Sequence, residues 1–304
     1  MRPYIRRIAS ALTACALLAL GGCASFEFTK PAQVQQRPIT LKNGGDELSG
    51  WTDLPIGVYR VPGSQVVISG HQKGQGASLL FGLVGVAVAH AANASAGAEA
   101  VKAAEQSLHI KLDAPLERSI REITASPAYS STFTLSEKPG QMKLLVTPGV
   151  ILSFVTEDTL RPYVVLKATL MGSEPKPVWT GRYIASTGAP RALLGDSGWL
   201  ENGAADLHKT IEIDLSVAIR TLATDVTKPY ARNDQNLVMV EGNLPYLKRR
   251  VSVVGYPLAE DDQYLTFIPK IGDAAVFAGV NILDKTTIKF HPATKDDAVF
   301  KLMD

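Results

Sequence analysis

The chain has 304 residues, of which 46% are hydrophobic and 20% charged, with a formal charge of +2. That composition suffices for a sizeable hydrophobic core and excludes a disordered or collagen-like chain. The near-balance of charge leaves no broad basic footprint for a phosphate backbone, so the sequence argues against a nucleic-acid partner.

Residues 1–7 carry Arg2, Arg6 and Arg7, and Ile8 to Leu20 form an uncharged run dominated by Ala and Leu. A basic start before a short apolar run has the shape of a secretory signal. The run falls short of the roughly 20 apolar residues that a spanning helix needs. It ends in Leu20-Gly21-Gly22-Cys23, which resembles the lipobox of bacterial lipoproteins: a Leu three places before a Cys, with small residues between. The resemblance implies that the Cys23 thiol takes a diacylglycerol, that the signal peptidase cuts after Gly22, and that the mature chain starts at Cys23. Ala24 stands next where that class would carry Asp for retention. By the same resemblance, the protein is expected on the periplasmic face of the outer membrane, anchored by lipid. Loss of the three N-terminal arginines leaves 28 basic against 29 acidic residues, a net charge of −1. Cys15 leaves with the signal and Cys23 is consumed by lipid, so disulfides, thiol nucleophiles and Cys-ligated metals are excluded from the folded part.

Residues 23–53 are polar, contain Pro31, Pro38, Gln33, Gln35 and Gln36, and show no sustained period; they read as a lipidated tether. Val58–Val61 and Gln65–Ser69, joined by Pro62-Gly63-Ser64, read as a hairpin. Residues 77–98 lack Lys, Arg, Asp and Glu altogether and read as a helix that runs on to about Glu105. Only Leu79 to Ala89 is strongly apolar, which reaches about 17 Å of a hydrocarbon core of roughly 30 Å. A buried or subunit-packing helix is therefore preferred over a membrane span. Gly82, Gly85 and Ala89 are its candidate contact, because small residues let backbones approach. Leu108, Ile110 and Leu112 alternate like a strand, and Leu116, Ile120 and Ile123 follow at helical spacing after Asp113. Residues 131–135, 142–147, 150–155 and 162–170 read as strands of a meander. Gly172–Lys176 turns the chain into 177–184, with Trp179 and Tyr183 on one face. Residues 203–226 carry Leu207, Ile211, Leu215, Ala218, Leu222 and Val226 at helical spacing. The alternation of Ile211, Ile213 and Leu215 leaves a short strand before a shorter helix as the competing assignment.

From Asn233 the texture changes to short β-rich runs at 236–241, 250–255, 264–269, 274–281, 285–290 and 297–302. The expected fold class is α+β: a mostly antiparallel sheet with two or three helices over 54–230, plus a small C-terminal all-β domain of sandwich or barrel type over 233–304.

Few motifs suggest chemistry. Gly195-Asp196-Ser197-Gly198 resembles the nucleophile loop of chymotrypsin-like proteases but continues with Trp199 instead of Gly, and no histidine has the surroundings of a triad base. Ser173 and Lys176 have the Ser-x-x-Lys spacing of penicillin-interacting enzymes, with Pro175 between them marking a turn instead. The five histidines are scattered singly, Glu260-Asp261-Asp262 lacks the alternation of a calcium loop, and Gly74-Gln75-Gly76 lacks the Lys-Ser/Thr of a phosphate loop. No catalytic residue, metal ligand or cofactor is assigned. The expected role is a non-enzymatic accessory or structural subunit of an envelope assembly or transport system. Its partners would be the membrane, through the lipid, and an envelope protein or a second copy of the chain. The alternatives are an envelope hydrolase using Ser197, or a lipoprotein that inserts 77–98 into the bilayer as a pore or surface oligomer.

Overall fold

The computed structural model describes residues 27–45, 54, 57–71, 87–273 and 275–303. Among them, three α-helices accompany a mixed sheet of 14 strands. The helices are α1 (Ala87–Val101), α2 (Asp113–Ala125) and α3 (Glu201–Thr227). The strands are β1 (Ile39–Asn43), β2 (Tyr59–Arg60), β3 (Val66–Ser69), β4 (Phe133–Thr134), β5 (Lys143–Phe154), β6 (Thr159–Met171), β7 (Pro177–Ser186) and β8 (Arg191–Ala192), then β9 (Val238–Asn243), β10 (Arg250–Glu260), β11 (Tyr264–Pro269), β12 (Val280–Asp284), β13 (Lys289–Pro292) and β14 (Phe300–Leu302). The main path across the sheet runs β13-β9-β10-β11-β12-β7-β6-β5-β1-β4.

The helices form where apolar spacing demands it. Leu116, Ile120 and Ile123 make the buried stripe of α2, and Leu207, Ile211, Leu215, Ala218, Leu222 and Val226 that of α3. Ile213, which a strand would bury with Ile211 and Leu215, is 39% exposed while they are 1%, so the period of 3.6 prevails. Both helices pack on one face of the sheet, where their stripes join Leu152, Val164 and Tyr183 in one core. The opposite face holds a second core around Ile151, Tyr163, Val253 and Phe267, closed over by Leu244–Leu247 and Ala275–Ala278.

Two expectations change here. The C-terminal strands do not stand apart as a separate β-domain: β12 pairs in parallel with β7, Val280 opposite Tyr183 and Leu283 opposite Ser186, so the sheet is continuous. Within the expected tether, Ile39–Asn43 is β1, set in parallel between β4 and β5 with Ile39 and Leu41 buried. Five residues with two inward apolar side chains were too short a signal to stand out against polar neighbours.

Proline positions explain a third difference. The break expected at Pro148-Gly149 does not occur, and β5 is one strand of 12 residues. Its outer edge pairs first with β1, over 143–146, and then with β3, over 150–153. Val146 O and Val150 N both point to that edge, bonding Gly44 N and Gln65 O. Pro148 shares their parity, so its missing N–H falls in the gap where one partner hands over to the next. Pro162 in β6 lies between the β8 pairing at 159–160 and the β7 pairing from Val164. Leu108–Leu112 keeps its expected alternation of burial without becoming a ladder strand. It is held instead by Gln65 N on Ile110 O at 2.9 Å, by Ser64 Oγ on Leu108 O at 2.7 Å, and by Leu112 N on Gln65 Oε1.

Gly255 marks the handover on β10, between the β14 pairing at 251–253 and the β11 pairing from 255. A Cβ there would meet Ile268 O at 2.1 Å and the Phe267 ring at 2.7 Å. Gly255→Ala is expected to lower stability by about 1–3 kcal/mol, read as a reduced urea midpoint at unchanged slope. An unmoved midpoint would mean that the two strands do not meet this closely.

Candidate functional site

Asp214 and Asp225 lie about three turns apart on α3, and both face the sheet from inside its apolar stripe, 0% and 1% exposed. The helix runs antiparallel to β7, so Asp225 meets Tyr183 and Asp214 meets Thr187 just beyond the strand's end. The two carboxyls have opposite surroundings.

Asp225 is fully engaged. Arg232 forks onto it, Nη1 to Oδ1 at 2.9 Å and Nη2 to Oδ2 at 2.7 Å, while Tyr183 Oη donates to Oδ2 at 2.8 Å and Tyr230 N to Oδ1 at 3.0 Å. Burial, and then the Asp225 carboxylate, push the Tyr183 phenol well above its ordinary range, so it stays a donor. Arg232 Nε also donates to Thr29 O at 2.8 Å, which ties the N-terminal segment to the end of α3. Three further contacts hold that segment: Asp273 accepts from Glu27 N and Phe28 N, the Arg182 guanidinium lies 4.8 Å over the Phe28 ring, and Trp179 Nε1 donates to Lys30 O at 2.9 Å. Beside it runs a groove of about 380 Å³ lined by Lys30, Pro31, Gln33, Pro177, Val178 and Trp179.

Asp214 is half-engaged. Thr187 Oγ1 donates to its Oδ1 at 2.6 Å, and its buried Oδ2 has no partner. Burial raises its carboxyl to about 7, against the downward pull of the Thr187 hydrogen bonds and Arg161. With its proton given to Asp214, Thr187 Oγ1 accepts from Tyr264 Oη at 2.9 Å, and Tyr264 is 9% exposed. Tyr264 pairs across the sheet with Asp284. Burial works upward on Asp284 too, but hydrogen bonds from Thr286 and the Gly188 N–H outweigh it and hold this carboxyl below its ordinary value. Arg161, buried at the start of β6, spends Nε on Ser186 Oγ at 2.7 Å and Nη2 on Thr287 Oγ1 at 2.9 Å. Tyr163, whose hydroxyl has no partner, is pushed up to about 12 by burial. One end of the sheet thus collects a buried carboxyl that can hold or release a proton near neutral pH, with a two-hydroxyl path toward the surface.

The residues singled out from sequence lie elsewhere. Gly22, Cys23, Gly82 and Gly85 fall outside the described residues; Ala89 is within the backbone of α1. Ser197 is exposed on a turn, its N–H on Glu201 Oε2 at 2.8 Å, and the neighbouring Trp199 fixes that turn by donating Nε1 to Leu160 O at 2.9 Å. Ser173–Lys176 is the β6–β7 hairpin turn. Asp261 closes the β10–β11 turn by accepting from Gln263 N and Tyr264 N. Among the described residues, no group of three or more His, Cys, Asp or Glu could hold a metal, and no helix is long and apolar enough to cross a membrane. Asp214 and Asp225 went unread, although their place among Ile211, Leu215, Ala218 and Leu222 was the available signal: an acid in an apolar stripe needs a partner or a proton. No protein-family model, curated protein or solved structure matches the chain.

Arg232→Ala leaves Asp225 buried without its counter-charge and is expected to cost about 3–5 kcal/mol in chemical denaturation. Pairing it with Asp225→Asn should recover part of the loss. If the double variant is no better than the single one, the charge on Asp225 is not what Arg232 serves.

Proposed function

We propose that the protein is a lipid-anchored lipoprotein on the periplasmic face of a bacterial outer membrane, acting as a non-enzymatic accessory or structural subunit of an envelope assembly or transport system. The address is supported by Leu20-Gly21-Gly22-Cys23 behind a basic, then apolar, leader. The role is supported by one further observation: each residue from Glu27 to Lys30 is bonded or packed to the body, and Glu27 is only four residues from Cys23. Four residues reach at most about 14 Å. A lipid on Cys23 would therefore hold the body against the bilayer, not at the end of a long leash. The groove beside Lys30 and Trp179 would lie on the membrane-proximal side. Two or more acyl chains give lasting attachment where a single one does not, and a subunit fixed at one height and attitude suits assembly with neighbours in the same membrane. The small-residue run containing Gly82, Gly85 and Ala89 is the proposed contact for an envelope partner or a second copy.

Cys23→Ser is expected to abolish palmitate incorporation, remove the response to globomycin and release the protein from membranes. Retention of all three would overturn the assignment. Leu at positions 82, 85 and 89 together is expected to reduce recovery of complexes from membranes while the melting transition of the body persists. Unchanged complexes would remove this run as the contact.

A further inference from the structure

We infer that Asp214 is a proton-operated latch on the N-terminal half of α3: protonated, it leaves that half seated on the sheet, and ionised, it weakens the seat at the end of β7. Four features of the fold carry this. The carboxyl is completely buried with one oxygen lacking any partner, and its support comes from one residue, Thr187, through its Oγ1 and its backbone. The charged and titratable groups that act on it are Tyr264 from β11, Asp284 from β12 and, from β6, Arg161 and Tyr163, whose ring lies in the core on the opposite face of the sheet. Arg161 spends its donors on Ser186 and Thr287 instead of on Asp214, so ionisation leaves a negative charge in the helix–sheet interface without a direct cationic partner. The C-terminal half of α3 is pinned by Asp225, Arg232 and Tyr183, which confines any release to one half. A hinge stands at the other end, where Asn202, Gly203 and Ala204 take left-handed backbone angles and interrupt the helix. Release would bare Leu207 and Ile211, now buried, as apolar surface.

The direction follows from linkage. The folded carboxyl titrates at about 7, above the ~3.9 of an open chain, so the seated state takes up a proton that the open state has lost. Seating is firmest below about pH 4, weakens as pH rises toward 7, and levels off above it. The test is hydrogen exchange of the full-length protein between pH 5.5 and 8.5, with rates corrected for the intrinsic pH dependence of exchange. The opening equilibrium of residues 204–214 is expected to rise about 30-fold over that range while 218–227 stays level. Asp214→Asn should flatten the profile of 204–214. If that variant does not fold, Thr187→Val, which removes the side-chain hydrogen bond favouring the ionised carboxyl and leaves the backbone one, should move the midpoint of the profile upward. A flat wild-type profile, equal change in both halves, an unaltered profile in Asp214→Asn, or an unmoved midpoint in Thr187→Val would each overturn the latch.

Discussion

The four parallel pairs between β7 and β12, Val280–Tyr183 through Leu283–Ser186, join the two halves of the sheet. To one side of β7 lie β6, β5, β1 and β4, and to the other β12, β11, β10, β9 and β13. Its alternating side chains feed both cores, Tyr183 and Ala185 the helical face and Ile184 the opposite one. The second core then draws Ile151 and Tyr163 together with Val253 and Phe267, residues that two separate domains would have kept apart. A parallel join between strands nearly a hundred residues apart has no local sequence signature, because it requires no tight turn and leaves each strand's pattern unchanged.

The same economy of hydrogen bonds governs the long strands. β5, β6 and β10 each meet two shorter partners along one edge. At each handover the chain carries a residue that suits it: Pro148 lacks the N–H that would have gone unpaired, Pro162 occupies the matching interval on β6, and Gly255 has no side chain to obstruct the incoming strand. Ser186 Oγ donates to Pro162 O at 2.7 Å, filling on that edge a carbonyl that the ladder leaves open.

This explains what the sequence made legible. Period carried α2 and α3, since an apolar stripe at 3.6 residues is a property of the segment itself, and the hairpin turns at 62–64 and 172–176 announced themselves by Gly, Pro and Ser. The division into strands at 142–147 and 150–155 failed at Pro148, because whether a proline breaks a strand depends on which edge its nitrogen faces, and only the neighbours decide that. β1 escaped notice for a related reason: Ile39 and Leu41 are informative only once β4 and β5 are known to flank them. The buried carboxyls of α3 could have been suspected from their position in the stripe, but not their contrasting fates, which depend on donors brought from residues 183, 187, 230 and 232.

That contrast shows how one residue type on one helix face can serve two purposes. Asp225 receives four hydrogen bonds, two of them from a guanidinium whose remaining Nε holds Thr29 O, so its burial cost is offset and its end of α3 is rigid. Asp214 receives one side-chain hydrogen bond and keeps a bare oxygen, so the proton is the partner that makes its burial tolerable near neutrality. The rigid end is the one bonded to the segment that follows Cys23, and the proton-dependent end lies at the far side of β7, beside the hinge at Asn202–Ala204. If Cys23 carries the proposed lipid, rigidity next to it would fix the attitude of the body, and softness at the other end of the helix would leave room for movement that does not disturb the attachment. An apolar side chain at 214 would pack as well on the sheet but would hold α3 equally firmly at every pH. A second arginine fork there would hold the helix through the neutral range and loosen it only in acid, so it is the shortage of donors at this carboxyl that couples the seating of the helix to proton concentration near neutrality.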